Sequence, residues 1–119
     1  MCMIEKHFFD FLLVGLGAIP GAFFRWIIDN DFAVNVFGAY VLGFVMGLKV
    51  NSRFGIIFGI GFCGACTTFS SWMVKIIQLL NIGLLLDALL LIVSTMFFGL
   101  LALVIGFFLG KRINELILS

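Results

Sequence analysis

The sequence GFCGACTTFSSW, Gly61 to Trp72, decides how this chain folds, because it places polar side chains in a segment otherwise suited to lipid. Thr67, Thr68 and Ser70 fall within four positions, and Ser71 follows. A bilayer core offers hydroxyl groups no water, so such a cluster must face protein, a cavity or an ion. The glycines and threonines of this stretch also argue against an unbroken helix, and irregular backbone at membrane depth must be shielded or line a polar path. We therefore predict a permeation element here.

The composition of the whole chain is that of an integral membrane protein. Of its 119 residues, 64% are hydrophobic and 11% are charged. The mean hydropathy of +1.32 lies outside the range of soluble globular proteins. The net charge of +1 provides no electrostatic footprint for nucleic acid, so we expect no nucleic-acid partner.

Four apolar stretches are long enough to cross the hydrocarbon core, which takes roughly 20 residues in a helix. They cover residues 8–28, 32–48, 54–77 and 88–109. Because the connections between them are short, we predict one all-α integral membrane domain over residues 1–119. This domain has four transmembrane helices.

The basic residues predict the orientation of these helices. Four spans put both chain termini on one side of the membrane, and most of the basic side chains fall on that side: Lys6, Lys49, Arg53, Lys111 and Arg112. Lys75 and Arg25 fall on the other side. By the positive-inside rule, both termini are cytoplasmic in a multi-pass protein of the cell (plasma or inner) membrane.

Glycines recur at four-residue spacing in every span. The pairs are Gly17 with Gly21, Gly43 with Gly47, Gly55 with Gly59, and Gly106 with Gly110. Pairs of small residues at this spacing let helices approach closely in lipid. We therefore predict a tightly packed helical assembly, with any aqueous path formed where two or more subunits meet.

A few polar residues outside the opening motif also lie within the spans. Arg25 could reach the membrane interface, attract anions into a vestibule, or pair with Asp29. Asn35 could bond a neighbouring helix or donate to a passing ion. Ser94 and Thr95 can return their hydroxyls to the backbone, or extend a series of donors suited to a small, strongly hydrated anion.

Phe69 and Trp72 are three positions apart and share a face if the chain is helical there. Their ring edges are electropositive and could contact an anion. Apolar packing is the competing interpretation, because the chain contains 16 phenylalanines.

In this order, the segments resemble the Fluc (CrcB-type) family of bacterial fluoride channels. The matching stretches are GAIPGAFFRW (Gly17 to Trp26), VNVFGAYVLG (Val34 to Gly43) and, above all, GFCGACTTFSSW against the family pattern GFCGGxTTFSTF. The likeness covers essentially the whole chain, with a loose match in the fourth span. It implies a fluoride-specific passive channel, not an enzyme, that exports fluoride from the cytoplasm and limits its toxicity.

The resemblance also implies an architecture and a set of site residues. Fluc channels are antiparallel, dual-topology dimers of four-helix subunits whose third helix breaks at its centre. Two fluoride pores follow the subunit interface, and a structural sodium ion lies at the dimer centre. By position, the backbone carbonyls of Gly64 and Thr67 would hold this sodium, and Arg25 would lie in the vestibule. The fluoride pore would be lined by Asn35, Phe69, Ser70, Ser71, Trp72, Ser94 and Thr95.

Two departures from the family pattern bear on the assembly. Trp72 stands where a second phenylalanine is usual, and Ala65 replaces a glycine. The indole keeps an electropositive edge and adds an N–H donor, but its volume could obstruct one pore. The charge bias also indicates one fixed orientation. The partner is therefore a second copy of this chain or an oppositely oriented homologous subunit, and in a heterodimer this chain could be the non-conducting partner.

Two other classes of function compete with a channel. A small four-helix, proton-coupled multidrug transporter would need a carboxylate embedded in the membrane. Asp10 is the only acid within a predicted span, and it lies at the edge. A structural membrane subunit would leave the hydroxyl cluster at residues 67–71 unexplained. An enzyme is not indicated, because the sequence has no glycine-rich phosphate loop and His7 has no plausible catalytic partner residues.

Overall fold

The computed structural model describes residues 2–118, and these residues form an all-α fold. Helix α1 covers Cys2–Ile28 and α2 covers Asp31–Leu48. The helical segment α3 fills residues 52–66, α4 covers Ser70–Asn81, and α5 covers Leu85–Leu118. The predicted all-α class is therefore confirmed.

The third span is broken, as the sequence predicts. Its first half, α3, consists of an α-helical turn Ser52–Phe54, a π-helical stretch Gly55–Cys63 and a final α-helical turn Gly64–Cys66. Residues 67–69 are not helical, and α4 begins at Ser70. The break thus lies inside the motif of glycines and hydroxyl residues.

Four segments are long and apolar enough to cross a membrane: Met3–Ile28, Asp31–Leu48, Ser52–Asn81 and Leu85–Leu118. Several of these helices extend past the apolar stretches seen in the sequence. At 34 residues, α5 is about 51 Å long, whereas the hydrocarbon core is about 30 Å thick. Hydropathy marks where a helix enters lipid, and the backbone hydrogen bonds continue beyond that point.

Short, capped turns connect the helices. The side chain of Asn30 accepts a hydrogen bond from the N–H of Ala33 (3.1 Å) and so caps the start of α2. Asp29 adopts a left-handed conformation (φ 48°), and its N–H donates to the Arg25 carbonyl (3.0 Å). At the other end of α2, Lys49 is also left-handed (φ 53°). These turns reverse the chain within two or three residues.

Glycines bring α2 and α5 into close contact along the most extensive helix–helix interface in the described chain. A methyl group added at Gly43 would collide with the Leu103 carbonyl oxygen, and one added at Gly106 would collide with the Tyr40 carbonyl oxygen. Gly47 and Gly110 are equally close to facing backbone. Both predicted pairs therefore form one shared interface.

Helices α1 and α3 form the second close pair. Gly17 and Gly21 lie against the backbone of α3, and Gly61 lies against the Val14 carbonyl oxygen. Gly55 and Gly59 make no close backbone contact within the described residues: a methyl group at Gly55 meets nothing within 4 Å, and one at Gly59 meets only the Leu42 side chain. Gly61 provides the close approach in their place.

A buried hydrophobic cluster lies between α4 and α5. Trp72, Ile76 and Ala88 form it, and partly buried apolar side chains pack around them. Most other large apolar side chains are exposed on the single chain. Such a surface is suited to lipid and to contact with another subunit.

Candidate functional site at the helix break

The break in the third span begins at Thr67, whose extended backbone (φ −77°, ψ 152°) ends α3. Its hydroxyl and its N–H both donate to the Cys63 carbonyl, at 2.8 and 3.0 Å. The hydroxyl returns to the backbone one turn earlier, which lowers the cost of a polar side chain in the membrane.

The side chain of Asn35, on α2, stabilises the break through two hydrogen bonds to its backbone. Its Oδ1 accepts a hydrogen bond from the Thr68 N–H (2.7 Å), and its Nδ2 donates to the Thr68 carbonyl (3.0 Å). One side chain thus satisfies both backbone groups of a non-helical residue, which would be costly to leave unpaired in lipid. This supports the interpretation of Asn35 as a helix–helix contact, although one Nδ2 hydrogen remains for another acceptor.

Two backbone carbonyls at the break lose their usual helical partners. The Thr68 N–H would bond the Gly64 carbonyl in a continuous helix, but it donates to Asn35 instead. The Ser71 N–H would bond the Thr67 carbonyl, but it donates to the Thr68 hydroxyl (3.3 Å). Within residues 2–118, neither carbonyl accepts a hydrogen bond. Both oxygens are therefore available to a ligand.

Three hollows adjoin the break and share lining residues with one another. The first, of about 370 Å³, is polar and is lined by Arg25, Asp29, Asp31, Thr68, Ser70 and Ser71, together with parts of α1. The second, of about 300 Å³, shares Thr68 with the first and also contacts Asn35, Thr67, Phe69, Trp72 and Thr95. The third, of about 440 Å³, shares Asn35 and Thr67 with the second and includes Gly64.

The two aromatic residues of the motif have different environments. Phe69 is 71% exposed, whereas Trp72 is buried in the cluster between α4 and α5. Their ring centroids lie 5.6 Å apart. The indole N–H of Trp72 donates to the Thr95 hydroxyl (3.2 Å), which in turn donates to the Leu91 carbonyl (2.7 Å). The donors of Trp72 and Thr95 are thus already occupied.

The sequence-predicted residues therefore divide into four groups, of which the first, Gly64 and Thr67, lines the third hollow. Asn35, Phe69, Trp72 and Thr95 meet at the second hollow, whereas Arg25, Ser70 and Ser71 meet at the first. Ser94 lines none of the three hollows, and its hydroxyl donates to the Leu91 carbonyl (3.2 Å). Among the described residues, Arg25 forms no ion pair with Asp29, although both line the first hollow.

Asp31 is a site residue that sequence reasoning did not identify. Its Oδ2 accepts a hydrogen bond from the Ser71 hydroxyl (2.8 Å) across the first hollow. In the sequence it marks only the start of the second span. The sequence feature that could have identified Asp31 is its position: a carboxylate at the end of one span can face the hydroxyl residues of another span.

Fold and site together define a small multi-pass membrane protein with a discontinuous helix, an architecture that places irregular backbone where it can contact ions or substrates. The chain belongs to the CrcB family, because the family model described as "CrcB-like protein, Camphor Resistance (CrcB)" matches residues 12–107.

Curated relatives cover most of the chain. A protein of Prochlorococcus marinus (strain MIT 9313) named "Fluoride-specific ion channel FluC 2" is 49% identical over 82% of this chain and 79% of its own length. Parasynechococcus marenigrum (strain WH8102) has two such relatives. Its FluC 2 is 42% identical over 94% of this chain and 89% of its own length. Its FluC 1 is 37% identical over 83% of this chain and 91% of its own length.

Proposed function

We propose that this protein is a fluoride-specific passive ion channel that lets fluoride leave the cytoplasm and so limits its toxicity. The observation that carries this proposal is the similarity, over most of the chain, to relatives named as fluoride-specific ion channels. The helix break and its hollows provide the physical support, since a passive channel requires polar groups along a path and no catalytic group.

The second hollow is suited to a small anion. It is lined by amide, hydroxyl and aromatic groups, and no ionisable side chain of the described residues contacts it. The free Nδ2 hydrogen of Asn35 and the ring edge of Phe69 can replace part of the water that fluoride loses. Neutral donors bind an anion weakly enough to release it again, as conduction requires.

A structural sodium ion fits the free carbonyls of the break. Gly64 and Thr67 each contribute a backbone oxygen without a hydrogen-bond partner, and oxygen ligands are the preferred ligands of hard cations. A bound sodium ion would supply a fixed positive charge between the two halves of the third span.

The channel assembles as an antiparallel dimer, with the hollows closed by an oppositely oriented homologous subunit. The basic-residue bias supports one fixed orientation in the plasma membrane, with both termini on the cytoplasmic side. The presence of both a FluC 1 and a FluC 2 relative in Parasynechococcus marenigrum supports a heterodimer. A homodimer is the alternative, and it requires the chain to insert in both directions.

Fluoride efflux from liposomes tests this function. The chain is reconstituted alone and together with a homologous second subunit, and a fluoride electrode records the release. We expect efflux of fluoride that chloride does not match, without any requirement for a proton gradient. No efflux from either preparation would contradict the channel, and drug-dependent proton flux would favour the multidrug transporter.

Replacement of Trp72 with phenylalanine is expected to raise fluoride efflux while lowering stability. The smaller ring removes bulk from the second hollow. The loss of the indole N–H removes the hydrogen bond that the Thr95 hydroxyl accepts. One lost hydrogen bond corresponds to about 1 kcal/mol of unfolding free energy. Efflux and thermal unfolding in detergent are measured in parallel.

Thr95→Val is the control for this substitution. It removes the same hydrogen bond and leaves the indole in place, so it is expected to lower stability without raising efflux. Equal efflux from Trp72→Phe and the parent protein would show that the indole does not obstruct the path.

A further inference from the structure

The first hollow contains two carboxylates, which are unexpected beside an anion path. Among its described lining residues, Asp29 and Asp31 contribute two carboxylates and Arg25 contributes one guanidinium. With all three ionised, the hollow carries one net negative charge. Through Thr68 it adjoins the second hollow.

We propose that Asp31 restrains conduction, because its carboxylate occupies the hydroxyl donor of Ser71 and adds negative charge where fluoride enters or leaves the path. This inference rests on the proposed channel function. It assigns to Asp31 a role in setting the fluoride flux.

The hydrogen bond between Ser71 and Asp31 makes this restraint specific. A serine hydroxyl has a single hydrogen, and that of Ser71 points to the Asp31 Oδ2 at 2.8 Å. While this bond exists, Ser71 cannot donate to fluoride. Because the acceptor is a carboxylate, this bond is charge-assisted and stronger than a bond to a neutral oxygen, so fluoride must displace it before Ser71 can donate.

The start of α2 does not need the Asp31 carboxylate as its cap. Asn30 already caps this helix by accepting the Ala33 N–H. Asp31 in the first turn also interacts favourably with the helix dipole, but this interaction is too weak to decide whether the helix forms. A substitution at Asp31 is therefore expected to leave the fold intact.

Three variants test the proposal in the assembly that conducts fluoride. Asp29→Asn and Asp31→Asn each bring the first hollow from one net negative charge to zero. Asp31→Ala removes the same charge and also frees the Ser71 hydroxyl. We expect about threefold higher efflux from both asparagine variants, through the weaker repulsion of the anion. We expect roughly a further fivefold from Asp31→Ala, the equivalent of one net hydrogen bond.

Two further measurements separate this role from a merely structural one. The gain from the asparagine variants should shrink as ionic strength rises, because salt screens exposed charges. Adding Ser71→Ala to Asp31→Ala should return the efflux to the level of Asp29→Asn. If the parent protein conducts fluoride but Asp31→Ala gives no higher efflux than Asp29→Asn, this inference alone is overturned. Absence of fluoride efflux in the parent protein and in every variant would overturn the channel function and this inference with it.

Discussion

Replacement of Asn35 with alanine is expected to abolish fluoride efflux and to destabilise the protein. Alanine removes both hydrogen bonds to Thr68 and leaves a backbone N–H and a backbone carbonyl unpaired at the helix break. Each unsatisfied buried group costs about 1–3 kcal/mol, so for the two groups we expect a loss of about 2–6 kcal/mol in unfolding free energy. Efflux from liposomes and thermal unfolding in detergent measure the two effects.

Asn51→Ala is a matched control for this substitution. Asn51 also accepts a backbone N–H, that of Phe54 at 3.1 Å, but it does so at the exposed start of α3. Its loss removes a helix cap worth about 1 kcal/mol, and efflux should persist.

Asn35→Asp tests an added negative charge at the same position while keeping one of the two hydrogen bonds to Thr68. It keeps an acceptor for the Thr68 N–H but loses the donor to the Thr68 carbonyl and adds a charge beside the second hollow. We expect a smaller loss of stability than with alanine, and little or no efflux. Full efflux from Asn35→Ala would show that conduction does not require the hydrogen bonds between Asn35 and Thr68.

Replacement of Gly106 with alanine is expected to be strongly destabilising. The added methyl group would collide with the Tyr40 carbonyl oxygen of α2, and backbone cannot move aside as a flexible side chain can. Overpacking of this kind costs about 1–3 kcal/mol, and the helices must separate along their most extensive interface. We expect a lower unfolding temperature in detergent and a reduced yield of folded protein.

Gly99→Ala is the comparison variant on the same helix. A methyl group at Gly99 meets nothing within 4 Å in the described chain, and alanine favours a helix over glycine by up to about 1 kcal/mol. We therefore expect unchanged or slightly higher stability. Equal unfolding temperatures for the two alanine variants would refute the close approach of α2 and α5.

The sequence predicted the four helices and the break in the third, because lipid imposes strong constraints on composition and backbone pairing. Glycine spacing also predicted that helices approach closely, but not which ones meet. Gly55 and Gly59 have the right spacing and yet face no backbone, whereas Gly61 does. Spacing along one helix contains no information about the neighbour that it faces.

The site was predictable at the level of residue types and less so at the level of hydrogen bonds. Both roles weighed for Asn35 are chemically sound, and only the arrangement of α2 beside the break shows that its amide bonds Thr68. Burial of Trp72 against α5 and the contact between Asp31 and Ser71 join residues 23 and 40 positions apart. Such contacts depend on tertiary packing, which neither hydropathy nor local motifs describe.

The pairing of α2 with α5 also has a consequence for biosynthesis. A ribosome makes the chain from its N-terminus, so α2 leaves the translocation machinery before its main partner has been synthesised. Until α5 arrives, the glycine face of α2 has only lipid or an insertion chaperone to contact. Nascent chains truncated before residue 85 should therefore be prime substrates for membrane quality-control proteases, whereas α1 and α3 can already pair in them.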